Sequence, residues 1–252
     1  MGLLSRADVH STRLAGQRAL VVGGSGGIGR AVTYMLAAQG ADVICHGGHD
    51  RTRLNRVVGY IRDHGGSARG LFVPLRTAAD IVPVLEGIGQ VDILVAALGP
   101  VRYGPLGTVS PEEWSTIAEL NLVLPGLLVS RYLPRMIGRN WGRIILFGGP
   151  RADQQRGFRD IPAYAAAKAG VVSLCKSAAA ATAGNNVTVN LISPGYVDTE
   201  YLSETGRAEA RRRSPRGVLI QPERIARLIN DLIIAEEPDI NGAVITIDQG
   251  LV

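Results

Sequence analysis

A tyrosine and a lysine stand four residues apart in Pro162-Ala163-Tyr164-Ala165-Ala166-Ala167-Lys168-Ala169-Gly170. Alanine-rich sequence favours helix, and on a helix positions i and i+4 share one face, so the Lys168 ammonium can sit beside the Tyr164 phenol. A phenol ordinarily titrates near ~10, and a neighbouring cation favours phenolate, which lowers that value toward the range useful for proton transfer at neutral pH. The pair therefore points to general acid–base chemistry. The chain carries 27 basic residues, yet Lys168 and Lys176 are its only lysines. Arginine keeps the charge but not the compact ammonium that a phenol contact needs. Lys176 lacks such a pattern and reads as solvated.

A second constellation lies near the start. Ala19-Leu20-Val21-Val22 runs directly into Gly23-Gly24-Ser25-Gly26-Gly27-Ile28-Gly29-Arg30, followed by the helix-like Ala31-Val32-Thr33-Tyr34-Met35-Leu36. A strand that turns sharply into a helix gathers backbone N–H groups and the positive end of the helix dipole at one point, and glycines let a pyrophosphate approach it. Arg30 is followed by Ala31 rather than Ser or Thr, and no lysine follows the glycines, which disfavours a nucleoside-triphosphatase.

The elements that must position these residues follow from patterning. Short apolar runs alternate with longer amphipathic ones, as in repeated βα units around a buried parallel sheet. Strands are expected at Arg18 to Val22, Asp42 to His46, Ala68 to Val73, Ile93 to Ala97, Arg143 to Phe147, Thr188 to Ile192 and Val244 to Ile247. Helices are expected at Ile28 to Gln39, Arg51 to His64, Ala78 to Glu86, Pro111 to Val123 continuing to Gly138, Ala163 to Ala183, and Pro222 to Ile234. Ser110-Pro111-Glu112-Glu113 reads as a helix start, and Gly40 and Gly65-Gly66 as helix ends. The expected fold is α/β: one Rossmann-type, doubly wound domain over residues 16–252, with a seven-stranded parallel sheet and helices on both faces. Residues 1–15 read as a flexible N-terminal extension.

Composition narrows the class. With 252 residues, 46% hydrophobic and 19% charged, the chain is a globular protein rather than a disordered, collagen-like or disulfide-stapled one. The net charge of +5 fits an ordinary solvated surface as well as anionic ligands. Cys45 and Cys175 sit in apolar contexts and suit a reducing compartment. His10, His46, His49 and His64 show no ligand spacing, so no metal is expected. No apolar run reaches the roughly 18 residues of a membrane span, and the N-terminus lacks a secretory h-region, so a cytoplasmic protein is expected.

The spacing Gly23, Gly27, Gly29, together with Tyr164 and Lys168, resembles the short-chain dehydrogenase/reductase family, and within it the 3-oxoacyl-carrier-protein reductase-like members. Further matches run nearly the full length: Asp92-Ile93-Leu94-Val95 before Gly99, Trp114 followed by Asn121-Leu122, Gly142-Arg143-Ile144-Ile145, Val187-Thr188-Val189-Asn190 leading to Ser193-Pro194-Gly195, and Asn241-Gly242-Ala243-Val244-Ile245-Thr246-Ile247-Asp248. The resemblance implies that Tyr164 is the general acid in reduction, that Lys168 lowers its pKa and holds the nicotinamide ribose, and that Asn121 anchors a proton-relay water. It implies dinucleotide contacts from Gly23, Ser25, Gly26, Gly27, Ile28, Gly29, Gly47, Gly48, Gly99, Tyr164 and Lys168, and nicotinamide-side contacts from Pro194, Gly195, Val197 and Thr199. It also implies a homo-oligomer, tetramer or dimer, and a small carbonyl or alcohol substrate, including acyl thioesters. Neither nucleic acid nor membrane is expected as a partner.

The chain departs from the family pattern in places. The family's catalytic serine follows the fifth strand, but here that strand ends Leu146-Phe147-Gly148-Gly149, and no Ser or Thr occurs between Arg143 and Ala163. Gly149 takes the position. Losing one preorganised donor from such a site typically costs a factor of roughly 100 to 1,000. Asp153, Gln154 and Gln155, in a slightly lengthened loop, are candidate replacements. Val22, Pro74 and Ala96-Ala97-Leu98-Gly99 also differ from the usual residues. A non-catalytic, cofactor-sensing protein of the same fold is therefore the alternative to an enzyme.

Cofactor choice is read at the end of the second strand, Cys45-His46-Gly47-Gly48-His49-Asp50-Arg51. Gly47 leaves empty the acidic position that would favour NAD, and Arg30, His49 or Arg51 can reach a 2′-phosphate, so NADP(H) is expected over NAD(H). The basic stretch Arg207 to Arg216 covers the substrate in relatives; it suits an acidic or carrier-linked substrate or is a plain solvated face.

Overall fold

The computed structural model describes residues 13–152, 154 and 156–251. Seven strands run β1 (Arg18–Val22), β2 (Asp42–Gly47), β3 (Ser67–Phe72), β4 (Ile93–Ala96), β5 (Gly142–Phe147), β6 (Val187–Pro194) and β7 (Val244–Ile247). They form one sheet in the order β3-β2-β1-β4-β5-β6-β7. The helices are α1 (Gly27–Ala38), α2 (Arg51–Asp63), α3 (Val82–Glu86), α4 (Pro111–Ala118), α5 (Leu124–Gly138), α6 (Pro162–Ala181), α7 (Glu204–Arg213) and α8 (Pro222–Ile234). This is the doubly wound, seven-stranded fold that the alternating pattern predicts. Of the expected extension, residues 1–12 lie outside the described residues, whereas Leu14 is buried and its N–H donates to the Gln39 carbonyl at 2.9 Å.

By internal contacts the chain divides into two compact units. The first comprises Met1–Pro74, Gln90–Ala97 and Tyr196–Glu237; the second Leu75–Gly89, Leu98–Gly195 and Pro238–Val252. In the first, β1 pairs in parallel with β2 and β4, with Val21 facing Cys45 on one side and Val95 on the other. Leu20, Val21, Ile44 and Ile93 are fully buried, as a strand covered on both faces requires. Helix α8 packs on α1 through a stripe of Ile225, Ala226, Ile229 and Ile233.

In the second unit, β5, β6 and β7 are parallel, with Ile145 opposite Asn190 and Ile192 opposite Ile245. Ser110 caps α4 as its sequence predicts: its Oγ accepts from the Glu113 N–H at 3.2 Å, and the Glu113 carboxylate accepts from the Ser110 N–H at 2.9 Å. The expected continuous helix from Pro111 to Gly138 is instead interrupted. Glu119–Val123 forms a π-helical turn between α4 and α5, and Asn121 sits in it. The expected helix from Ala78 to Glu86 begins as a 3₁₀ turn, Ala78–Ile81, capped by Thr77 and Asp80. Pro83 then occupies the first turn of α3, where its missing N–H leaves no intrahelical bond unmade.

Candidate active site

In the first unit the glycine turn links β1 to α1. Gly23 and Gly27 have φ of 81° and 51°, the left-handed region that favours glycine. Gly26 is the N-cap of α1 and contributes no side-chain cap, so the first-turn backbone donors are not satisfied by the cap residue itself. A β-carbon on Gly24 would stand 2.7 Å from Thr33 Oγ1, whose hydroxyl donates to the Gly24 carbonyl at 3.2 Å. Gly29 packs its Cα face against the Gly23 carbonyl. These contacts hold a bare backbone cradle of the kind a phosphate enters.

His46, for which the sequence suggested no role, anchors the start of this turn. Its Nδ1 accepts from the Gly23 N–H at 3.2 Å, and its Nε2 lies 2.9 Å from the Val73 carbonyl oxygen. A carbonyl only accepts, so Nε2 carries the proton and the ring is neutral. Burial lowers the His46 pKa, the Val73 bond opposes that, and nearby His49 adds to the lowering. Beside it, a β-carbon on Gly47 would meet Ser25 Oγ at 2.5 Å, and one on Gly48 the Val73 carbonyl at 2.6 Å. The end of β2 therefore has no room for the acidic side chain that the sequence found missing. Val197 and Thr199 also lie in this unit. Val197 bridges to Ile220, and the Thr199 methyl lies 3.4 Å from where a Gly27 β-carbon would be.

The second unit brings together Gly99, Asn121, Gly149, Tyr164 and Lys168. Lys168 is buried on α6, and its Nζ donates to the Phe147 carbonyl at the end of β5 at 2.9 Å. Asn121 is fully buried; its Nδ2 donates to the Pro100 carbonyl at 2.9 Å, while its Oδ1 has no partner among the described residues. Both groups converge on Gly99, where a β-carbon would overlap Asn121 Oδ1 and stand 3.0 Å from Lys168 Nζ. Tyr164 packs with Trp114 and Leu122 against Ile117, Ala163 and Ala167. Pro194 and Gly195 end β6 in the same unit, and Gly195 lies against Asp248.

The electrostatics correct one expectation. At the Tyr164 phenol, burial rather than the Lys168 charge dominates. Burial pushes that phenol above its ordinary value, and the Tyr103 phenol adds to the effect. Burial also pushes the Lys168 ammonium down, to about 8. The reason is geometric: Nζ lies 5.5 Å from the Tyr164 ring centroid and spends a hydrogen bond on Phe147 instead. Desolvation therefore outweighs attraction within the pair.

At Gly149, where the resemblance leads a serine to be expected, an added β-carbon would stand 2.7 Å from Tyr164 Cε1. Ser193, which the sequence matched only as part of a turn, donates to the Gly149 carbonyl and so fixes that backbone. A cavity of about 600 Å³ is lined by Gly149, Gln154, Arg156, Phe158, Tyr164 and Lys168 among others. Gln154 thus lines the same cavity as Tyr164 and Gly149, while Asp153 and Gln155 lie outside the described residues. In the expected basic cover over Arg207 to Arg216, three of the arginines are engaged by carboxylates. Arg207 pairs with Asp198, and Arg212 and Arg213 pair with Glu209. Among the described residues there is no group of three or more potential metal ligands, and no helix is long and apolar enough to cross a membrane.

A parallel doubly wound sheet, a glycine cradle after β1 and a Tyr/Lys pair on α6 define a dinucleotide-type oxidoreductase, and the comparisons agree. Residues 17–210 match the short chain dehydrogenase family model, and the chain belongs to that family, whose members act on CH–OH and C=O groups. It is 35% identical to the 3-oxoacyl-[acyl-carrier-protein] reductase FabG of Escherichia coli (strain K12) over 243 residues, covering 94% of this chain and 97% of that one. The corresponding FabG of Thermotoga maritima is 31% identical, with 95% and 99% covered. A crystal structure of a 3-oxoacyl (acyl-carrier-protein) reductase from Agrobacterium tumefaciens C58 with NADP bound superposes with a TM-score of 0.85 at 32% identity, covering 94% of this chain and 95% of that one.

Proposed function

We propose that the protein is an NADP(H)-dependent reductase that interconverts a ketone and a secondary alcohol, with a β-ketoacyl thioester as the substrate class. The observation that carries this reading is the convergence of the Lys168 ammonium and the Asn121 carboxamide on side-chain-free Gly99, with Tyr164 lining the same cavity as Lys168. Asn121 Oδ1 is a buried acceptor without a partner among the described residues, as a group that anchors a proton-relay water would be.

The dinucleotide fits the residues present. Gly23, Ser25, Gly26, Gly27, Ile28 and Gly29 would hold the pyrophosphate, and Gly47 and Gly48 would flank the adenosine ribose. Gly99, Lys168, Pro194, Gly195, Val197 and Thr199 would serve the nicotinamide side. Once bound, the nicotinamide supplies or accepts the hydride. Tyr164 donates its proton to the carbonyl oxygen in reduction and takes it back in oxidation. Burial keeps that proton on the phenol at neutral pH, which suits an acid in the reductive direction. Lys168, whose Nζ donates to the Phe147 carbonyl, has further N–H donors that would serve the ribose hydroxyls. The preference for NADP(H) is supported by the absence of any carboxylate at Gly47 to repel a 2′-phosphate, and by the NADP held by the Agrobacterium relative. The outward-facing Val123 and Leu127, 40% and 37% exposed, suit assembly into a homo-oligomer.

The test is NADPH oxidation with β-ketoacyl thioesters, quinones and small diketones, in wild type and Tyr164→Phe. Turnover on at least one ketone and its loss in the variant are expected. A protein that binds NADPH but turns over no ketone, with Tyr164→Phe indistinguishable, would instead be the non-catalytic dinucleotide binder.

A further inference from the structure

The glycine turn already holds an anion, and it is the chain's own. The Gly27 N–H donates to both Glu200 carboxylate oxygens, at 3.3 Å each. Arg30 donates to the same carboxylate from NH1 at 3.2 Å and from NH2 at 3.5 Å, and Arg53 NH1 lies 3.6 Å from Oε1. An open helix N-terminus and two guanidinium groups make a strong set of partners for a phosphate. Here a carboxylate only 25% exposed takes all three.

The next residue closes the approach. The Tyr201 phenol packs onto Gly26, filling the space a β-carbon would take, and its ring lies 3.3 Å from the corresponding point on Gly27. Arg53 stacks over the same ring, 5.5 Å from its centroid. The glycines that would admit a pyrophosphate are thus covered by a tyrosine. The segment is tethered on both sides of this plug. Before it, the Asp198 N–H donates to the Ile220 carbonyl at 2.8 Å; after it, Arg207 pairs with Asp198 and reaches the Thr199 carbonyl at 3.4 Å, while Ser203 caps α7. Only Glu200, Tyr201 and Leu202 lie between the anchors, so a local change at these residues clears the turn without unfolding its supports.

We infer that Glu200 is an internal competitor for the cofactor's phosphates and that its release determines how tightly the dinucleotide binds. The inference rests on the dinucleotide reading of the turn given above. Two anions cannot share Gly27 and the two arginines, so the apparent affinity equals the intrinsic affinity scaled by the fraction of molecules in which Glu200 has let go. Replacing the carboxylate leaves the arginines available to the phosphates and removes the competing state.

The test is the NADP⁺ and NAD⁺ dissociation constants of wild type, Glu200→Gln and Glu204→Gln, measured by isothermal titration. Glu204 is an exposed carboxylate on α7 that removes the same charge from the same unit. Glu200→Gln is expected to tighten binding of NADP⁺ about tenfold, the size of one charge-assisted contact, and Glu204→Gln by less than twofold. In stopped-flow fluorescence, the wild-type rate of NADPH binding is expected to level off at high concentration, at the rate of Glu200 release, and that plateau to vanish in Glu200→Gln. Unchanged affinity in Glu200→Gln, an equal gain in Glu204→Gln, or a wild-type rate that rises linearly throughout would overturn the inference while leaving the dinucleotide reading intact. Binding of neither dinucleotide by any of the three proteins would remove both.

Discussion

Tyr164 and Gly149 are in such close contact that the ring edge occupies the space into which a side chain at position 149 would grow, with 2.7 Å between Cε1 and an added β-carbon. The glycine and the tyrosine position therefore belong together. Gly149→Ser would add a hydroxyl beside Tyr164 but push the ring from its packing on Ile117, Ala163 and Ala167. Overpacking of this kind costs roughly 1–3 kcal/mol. Gly149→Ser is expected to melt several degrees below wild type and to turn over more slowly, by thermal denaturation and steady-state rates. A faster enzyme would show that the ring yields freely.

Tyr164→Phe removes one oxygen and keeps the packing. Turnover is expected to fall by roughly 10²–10⁴, the usual weight of a positioned proton donor. Cofactor affinity and melting temperature should stay near wild type, so the loss would appear in kcat.

The Lys168 ammonium, pushed down to about 8 by burial, is held protonated only below that pH in the free protein. The charge proposed to serve the cofactor ribose is lost as pH rises through about 8, so kcat/KM for the cofactor should fall on the alkaline side. For stability the sign is opposite. Between about 8 and the ordinary lysine value the unfolded chain binds the extra proton, so folding stability contributed by this group rises with pH there. Lys168→Arg should remove that limb of the kcat/KM profile while lowering its maximum.

His46 must stay neutral to accept from Gly23, and its folded pKa lies below the ordinary 6.5. As pH falls below 6.5 the unfolded chain takes up a proton that the folded chain resists, and stability drops until the lowered folded value is passed. His46→Asn, whose carbonyl can replace the Nδ1 acceptor, should flatten the melting temperature between pH 6.5 and 5. His46→Phe should weaken dinucleotide binding at every pH. A pH dependence preserved in His46→Asn would place its origin elsewhere.

Much of the scaffold was legible because its determinants are local. The apolar runs of β1 and β5, the Ser110 capping box and the Gly23 turn each announce themselves within a few residues. What the sequence concealed depends on contacts between distant segments. Glu200 meets Gly27 across 173 positions, and nothing around Glu200 distinguishes it from an ordinary surface acid. His46 read as an apolar-strand histidine until its two ring nitrogens found Gly23 and Val73. The expectation of a lowered Tyr164 phenol rests on i,i+4 spacing, which fixes which face two side chains share, not which other acceptor one of them prefers. Helix α7 is absent from the expected elements because its arginines give it little amphipathic contrast.

The π-helical turn at Glu119–Val123 works as a one-residue insertion in an otherwise continuous helix. Because the wide turn takes up the extra residue, removing one residue from it would return the ladder to α-helical spacing while the helices on either side keep their faces. Leu128, Tyr132 and Met136 would then stay in the core, and the change would fall on Asn121, whose carboxamide would no longer be aimed at Gly99. The position of Asn121 can thus be altered by a single-residue deletion that leaves the register of α5 intact.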